Sequence, residues 1–146
     1  MTKYISIDPG KCKCGLIFAD FKSKVVFKAI VVESKYLVQN IKTFIGKDKN
    51  IKVLIGNGTT SKYHVKALSF LENNLTIVEE RNTTYRSRQR YFEIFPIKGI
   101  KKFLPRDIFL HNINLDAISA LVILEDYLNC KFTLNCDLLA KTWMKQ

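Results

Sequence analysis

Two β-branched, apolar runs near the start of the chain, Tyr4-Ile5-Ser6-Ile7 and Leu16-Ile17-Phe18, enclose a turn that begins Asp8-Pro9-Gly10 and ends at Gly15. Runs of this kind, separated by Pro and Gly, fold back on each other as a hairpin and display the Asp at its rim. A third, longer run, Lys24-Val25-Val26-Phe27-Lys28-Ala29-Ile30-Val31-Val32, follows at once. A chain that opens with three strands and then alternates helical with extended segments has few architectures open to it. Ser34 is placed as the N-cap of a helix whose Leu37, Ile41 and Phe44 keep a helical period and which stops at Gly46. A buried-type strand over 51–55 ends at Gly56-Asn57-Gly58. Thr59, Thr60 or Ser61 then caps a second helix through Leu71 with Val65, Leu68 and Leu71 inward. Residues 75–80 read as a fifth strand, and Thr83 or Thr84 caps a third helix to about Phe95. A basic loop over 96–113 leads to a fourth helix, Leu115 to Leu128. The tail 132–146 adds a short helix carrying Leu138, Leu139 and Trp143. The expected order is β-β-β-α-β-α-β-α-α: an α/β fold with a five-stranded mixed sheet and helices on both faces.

A length of 146 residues fits one domain over 1–146, and 47% hydrophobic content supplies a core. No apolar run is long enough to span a bilayer and the N-terminus lacks a signal-peptide pattern, so the expectation is a cytoplasmic protein, or a stromal one if the chain is plastid-borne. Cys12, Cys14, Cys130 and Cys136 stand in C-x-C and C-x5-C spacings, not the C-x2-C of a zinc knuckle, and read as reduced structural thiols.

The formal net charge is +11, which points to polyanionic partners. Arg81, Arg86, Arg88, Arg90, Lys98, Lys101, Lys102 and Arg106 face a single acid, Glu93, between positions 81 and 106, and aromatics interleave with them. That pattern suits a nucleic-acid surface or, alternatively, a solvated helix face over core aromatics. Arg86 and Arg90, four apart, are expected on one helix face. Lys13, Asn57, Thr59, Arg81, Arg86, Arg90, Lys101, Lys102 and Arg106 are the candidate nucleic-acid contacts, with Gly56 and Gly58 allowing close backbone approach to a phosphate.

Ligands of sheets with parallel strands gather at the carboxyl ends of those strands, where Asp8, Asn57 and Glu80 are expected. Asp116 opens a helix whose first turns are small and apolar, Ala117, Ile118, Ser119 and Ala120, and so can lie close to the sheet. Asp8 also suits a turn cap and Asp116 a helix dipole. Together, Asp8, Glu80 and Asp116 form a ligand set for hard divalent cations, Mg²⁺ or Mn²⁺. A pair of such ions clamps the attacking water and leaving oxygen of a phosphodiester.

Ile5-Ser6-Ile7-Asp8-Pro9-Gly10 with Lys13-Cys14-Gly15, then Val78-Glu79-Glu80-Arg81-Asn82-Thr83-Thr84, then the stretch Leu115-Asp116-Ala117 through Glu125-Asp126-Tyr127 resemble the YqgF family. These are RNase H-like proteins related to the RuvC Holliday junction resolvases, described as junction resolvases and as nucleases that mature the 5′ end of pre-16S rRNA. Gly56-Asn57-Gly58-Thr59-Thr60-Ser61 and the stretch from Arg90-Tyr91-Phe92-Glu93 to Leu104-Pro105-Arg106 resemble a cyanobacterial and plastid branch. The resemblance implies an RNase H-like fold, a metal-dependent endonuclease with Asp8, Glu80 and Asp116 as metal-holding catalytic acids, and branched DNA or pre-rRNA as the nucleic-acid partner. The chain would act as a monomer or a homodimer, since a junction resolvase needs two active sites. Two rival readings are a non-catalytic nucleic-acid module on the same fold and an actin-like or sugar-kinase ATPase. The ATPase needs a second such domain, for which this length has no room.

Overall fold

A computed structural model of the chain describes residues 2–48, 50–80, 82–110 and 114–135. Strands β1 (Lys3–Asp8), β2 (Lys13–Asp20) and β3 (Val25–Glu33) form an antiparallel meander. A 3-10 turn, Ser34–Tyr36, leads into α1 (Leu37–Ile45), which ends at Gly46 in a positive-φ conformation. Then come β4 (Lys52–Gly56), α2 (Ser61–Ala67), a 3-10 turn over Ser69–Asn74, and β5 (Leu75–Val78). Helix α3 spans Thr83–Ile94. A 3-10 turn, Gly99–Phe103, and the short α4 (Asp107–Leu110) precede α5 (Asp116–Leu128) and a two-residue strand, β6 (Thr133–Leu134).

The sheet is mixed and six-stranded, in the order β5-β4-β1-β2-β3-β6. The meander supplies its antiparallel half. Strands β4 and β5 join β1 in parallel through helical crossovers, and β6 joins β3 in parallel. Alternation along β2 divides the core between the two faces. Ile17 and Ala19 pack with Ile118, Leu121 and Leu124 of α5, whereas Cys14, Leu16 and Phe18 pack with Leu37 and Ile41 of α1 and with Leu68. Helix α5 is buried almost throughout, from Ala117 to Glu125. Among the described residues no helix is long and apolar enough to cross a membrane.

The α/β class, the mixed sheet and the succession of elements along the chain through β5 match the expectation; several local features do not. The sheet has six strands rather than five, because Thr133–Leu134 at the start of the tail form β6; the helix expected to carry Leu138, Leu139 and Trp143 lies outside the described residues. Ser34 caps no helix: its hydroxyl donates to the Gly10 carbonyl at 2.9 Å. The helix expected to run through Leu71 stops at Ala67 and continues as a 3-10 turn. Asn82, in the left-handed region, stands at the N-cap of α3, and Thr83 is already helical and buried. The basic loop contains two short helical pieces, and every side chain from Lys98 to Ile108 is exposed.

Candidate functional site

Because β1, β4 and β5 are parallel and in register, with Ile7 opposite Ile55 and Ile55 opposite Ile77, their carboxyl ends finish together. Asp8 is the last residue of β1, and Glu80 follows the end of β5 by two residues. Two glycines bring the remaining pieces in. Gly15, directly opposite Asp8 in the hairpin, lies beneath the first turn of α5: a Cβ there would stand 1.9 Å from the Asp116 carbonyl oxygen. Gly56, at the end of β4, leaves space that the Glu80 carboxylate occupies, since a Cβ there would stand 1.8 Å from Glu80 Oε1. The space expected to admit a phosphate at Gly56 is therefore taken by a carboxylate. Gly58 is more open, with Glu80 Oε1 at 3.7 Å from its hypothetical Cβ.

The three acids interact electrostatically. Burial, followed by repulsion from Glu80 and then Asp116, pushes the Asp8 carboxyl up to about 7, against a smaller opposing effect of the Ser119 hydroxyl. Burial also raises Glu80, whose Oε1 is buried with no hydrogen-bond partner. Asp116 is raised by burial and lowered in part by Asn114 and by the charge of Lys13. The Asn114 side-chain carbonyl accepts the Asp116 N–H at 3.0 Å and so fixes the start of α5. An anionic cluster of this kind is incomplete electrostatically: two of its members lift the third, and one carboxylate oxygen is left with no donor. Its ligand geometry is open. Among the described residues no group of three or more His, Cys, Asp or Glu is placed to hold a metal ion by itself.

Residues to which the sequence assigned no part in the site support the cluster. Ser119, on α5, lies 2.9 Å from the Ser87 hydroxyl of α3, and Ser87 donates to the Thr83 carbonyl at 2.6 Å. On the other face, the turn after Asp8 is clamped. Gly10 O receives the Ser34 hydroxyl and sits 3.0 Å from His64 Nε2; Thr60 Oγ1 donates to Pro9 O at 3.0 Å. His64 is buried, and Cys14 Sγ lies 3.8 Å from its Nε2. Nothing in the local sequence of α2 announces a histidine aimed at a turn far earlier in the chain.

The expected nucleic-acid contacts divide. Lys13 is exposed beside Asp116, and Asn57 and Thr59 are exposed on the same rim; Asn57 Oδ1 also accepts the Ser61 hydroxyl at 3.4 Å. Arg81 lies outside the described residues. Arg86 and Arg90 are not free cations. Arg86 makes a two-pronged pair with Asp126, and Arg90 donates to Glu125 at 2.7 and 3.0 Å, to Glu93 at 2.9 Å and to the Phe132 carbonyl at 2.8 Å. The pair of arginines is thus a seam between α3 and α5, and the expectation that it faces a phosphate backbone is corrected. Lys101, Lys102 and Arg106 are exposed, Arg106 lying over the Phe92 ring, and none is bonded to Asp8, Glu80 or Asp116.

The contact beneath α5 yields a direct test. Gly15→Ala is expected to cost at least about 2 kcal/mol, because backbone atoms of Asp116 and Ala117 must move to admit one methyl group. Thermal melting checks it, and a melting temperature within about 2 °C of wild type would refute the close approach. No protein-family model matches the chain, and no curated protein matches it.

Proposed function

We propose that this protein is a divalent-metal-dependent endonuclease of RNase H-like fold that hydrolyses phosphodiester bonds in structured nucleic acid. The observation that carries the reading is the coupled set Asp8, Glu80 and Asp116 at the carboxyl end of parallel strands, with Asp8 pushed up to about 7 and a Glu80 oxygen buried without a donor. The donor chemistry fits Mg²⁺ or Mn²⁺: hard carboxylate oxygens, too few to close a shell, leave positions for waters and substrate phosphate oxygens. Asp8 would be the central ligand, with Glu80 and Asp116 on either side. When bound, such ions supply a water of lowered pKa and neutralise charge at the scissile phosphate.

The chain's own residues do the rest. The Ser119 hydroxyl beside Asp8 favours the ionised form that a cation requires. Asn114 fixes the first turn of α5 and with it the Asp116 carboxylate. Lys13, exposed beside Asp116, is available to a substrate phosphate, and Asn57 stands exposed on the same rim.

The test is cleavage of a branched DNA and of a structured precursor rRNA, side by side, with Mg²⁺ or Mn²⁺. Wild-type protein is expected to cut one of them, and Asp8→Asn, Glu80→Gln or Asp116→Asn to reduce cutting at least ~100-fold. Full activity in Asp8→Asn would sink the proposal. The open ligand geometry favours one second reading, a non-catalytic nucleic-acid module. Binding without cleavage of either substrate would select it.

A further inference from the structure

With Arg86 and Arg90 committed to acids of α5, the path of a nucleic-acid strand must be sought on another surface. A cleft of about 610 Å³ opens between Lys11, the 3-10 turn at Ser34 and Lys35, and the start of α2. Its volume falls in the range of ligand clefts. Lys11, Lys35 and Lys62 line it together with Thr59 and Tyr63, and no carboxylate does. Lys35 is already paired with Glu33 at 2.8 Å. Lys11 and Lys62 are exposed and have no ion pair among the described residues. Tyr63 is 75% exposed and makes a T-shaped contact with the His64 ring at 5.4 Å, which leaves most of its ring surface open to a planar group.

We infer that this cleft binds an unpaired nucleic-acid strand, with backbone phosphates on Lys11 and Lys62 and a base stacked on Tyr63. Two cations without counter-ions and no lining acid specify an anion. The exposed aromatic narrows the class further. A duplex hides its base faces within the stack, whereas a single strand offers them. A small anion would find here only exposed lysines on flexible stems and no enclosing cage. A strand brings successive phosphates and a base at once. The cleft is also fused to the acid site, because His64 and Ser34 hold the Gly10 carbonyl and Thr60 holds that of Pro9, the residues that directly follow Asp8. The cleft and the acid site thus share the turn that follows Asp8. The inference rests on the nuclease reading for the purpose of the strand, but not for its binding.

The experiment is fluorescence anisotropy of a labelled single-stranded oligonucleotide, titrated over a range of salt in EDTA so that no cleavage occurs. For the Lys11→Ala/Lys62→Ala protein the plot of log affinity against log salt is expected to be shallower by about 1.4, at roughly 0.7 per phosphate contact. Tyr63→Ala is expected to weaken single-strand binding about fivefold or more, with blunt duplex binding unchanged. Lys47→Ala, next to the Asp48 that meets Lys3 at the far end of the sheet, should bind as wild type does. A wild-type salt slope in the double-lysine variant overturns the inference, as does competition by inorganic phosphate or a mononucleotide at the oligonucleotide's own concentration. If the cleft variants lose binding while Asp8→Asn cleaves like wild type, the cleft stands and the nuclease reading falls. If Asp8→Asn abolishes cleavage and the cleft variants bind normally, the reverse holds.

Discussion

The Arg90→Ala protein is expected to lose roughly 3–5 kcal/mol of stability, the cost of stranding a buried charge whose partner has been removed. Glu125 is 7% exposed, and its carboxylate depends on Arg90 for two hydrogen bonds; its third comes from the Phe132 N–H at 2.9 Å. The same guanidinium reaches the Phe132 carbonyl, so its loss loosens the chain just ahead of β6 as well as the contact of α3 with α5. Arg86→Ala is expected to cost less than about 1 kcal/mol, since its pair with Asp126 lies at the exposed edge of the seam. Urea denaturation of the two variants separates the cases. An Arg90→Ala loss under about 1 kcal/mol would show that Glu125 is rescued by water or by Lys131 and that the seam is ornamental. Arg90→Leu combined with Glu125→Leu should recover much of the loss, as apolar substitutes for buried ion pairs do.

The metal-free protein is expected to be less stable at pH 8 than at pH 5, by roughly 2–3 kcal/mol from Asp8 alone. Unfolded, this carboxyl titrates at its ordinary value of 3.8; in the fold it is pushed up to about 7. Between those values the folded state holds a proton that the unfolded state has lost. Stability therefore falls as pH rises toward 7 and then levels. Glu80 and Asp116 are raised as well and act in the same direction. Asp20 and Glu93 are lowered, so their contribution changes below the chosen window. Denaturant titrations in EDTA at the two pH values give the difference. Asp8→Asn should flatten it and be the more stable protein at pH 8. Mg²⁺ at pH 8 should restore stability to wild type and do little for Asp8→Asn. An Asp8→Asn protein that keeps the full pH dependence would sink this account of the cluster.

How much of this could be read from the residues depends on the range of the interaction involved. The hairpin around Asp8, the apolar run of α5 and the strands that lead to Asn57 and Glu80 are signalled within a few residues of themselves. The roles of Arg86 and Arg90 are not so signalled. Apart from Glu93, which pairs with Arg90 within α3, the acids that neutralise them, Glu125 and Asp126, sit on a helix far along the chain. Ser34 has the residue type of an N-cap, but its hydroxyl is claimed by Gly10, another long-range partner. Gly56 reads as a phosphate-approach glycine because the Glu80 carboxylate that fills its space cannot be seen in a turn motif. Strand β6 has two residues and no period to display.

The packing of Gly15 under Asp116 also bears on how the molecule reaches its final state. The meander of β1, β2 and β3 involves neighbours in the chain and can form early, whereas the two residues of that contact, Gly15 and Asp116, are far apart in the sequence. Closure of so long a loop is entropically costly and belongs late on the folding route. The carboxylate cluster then does not exist until α5 has docked, and partly folded chains lack it. A cation that binds the cluster should leave the folding limb of a chevron plot almost unchanged and slow the unfolding limb, making the bound ion a kinetic latch on the completed fold.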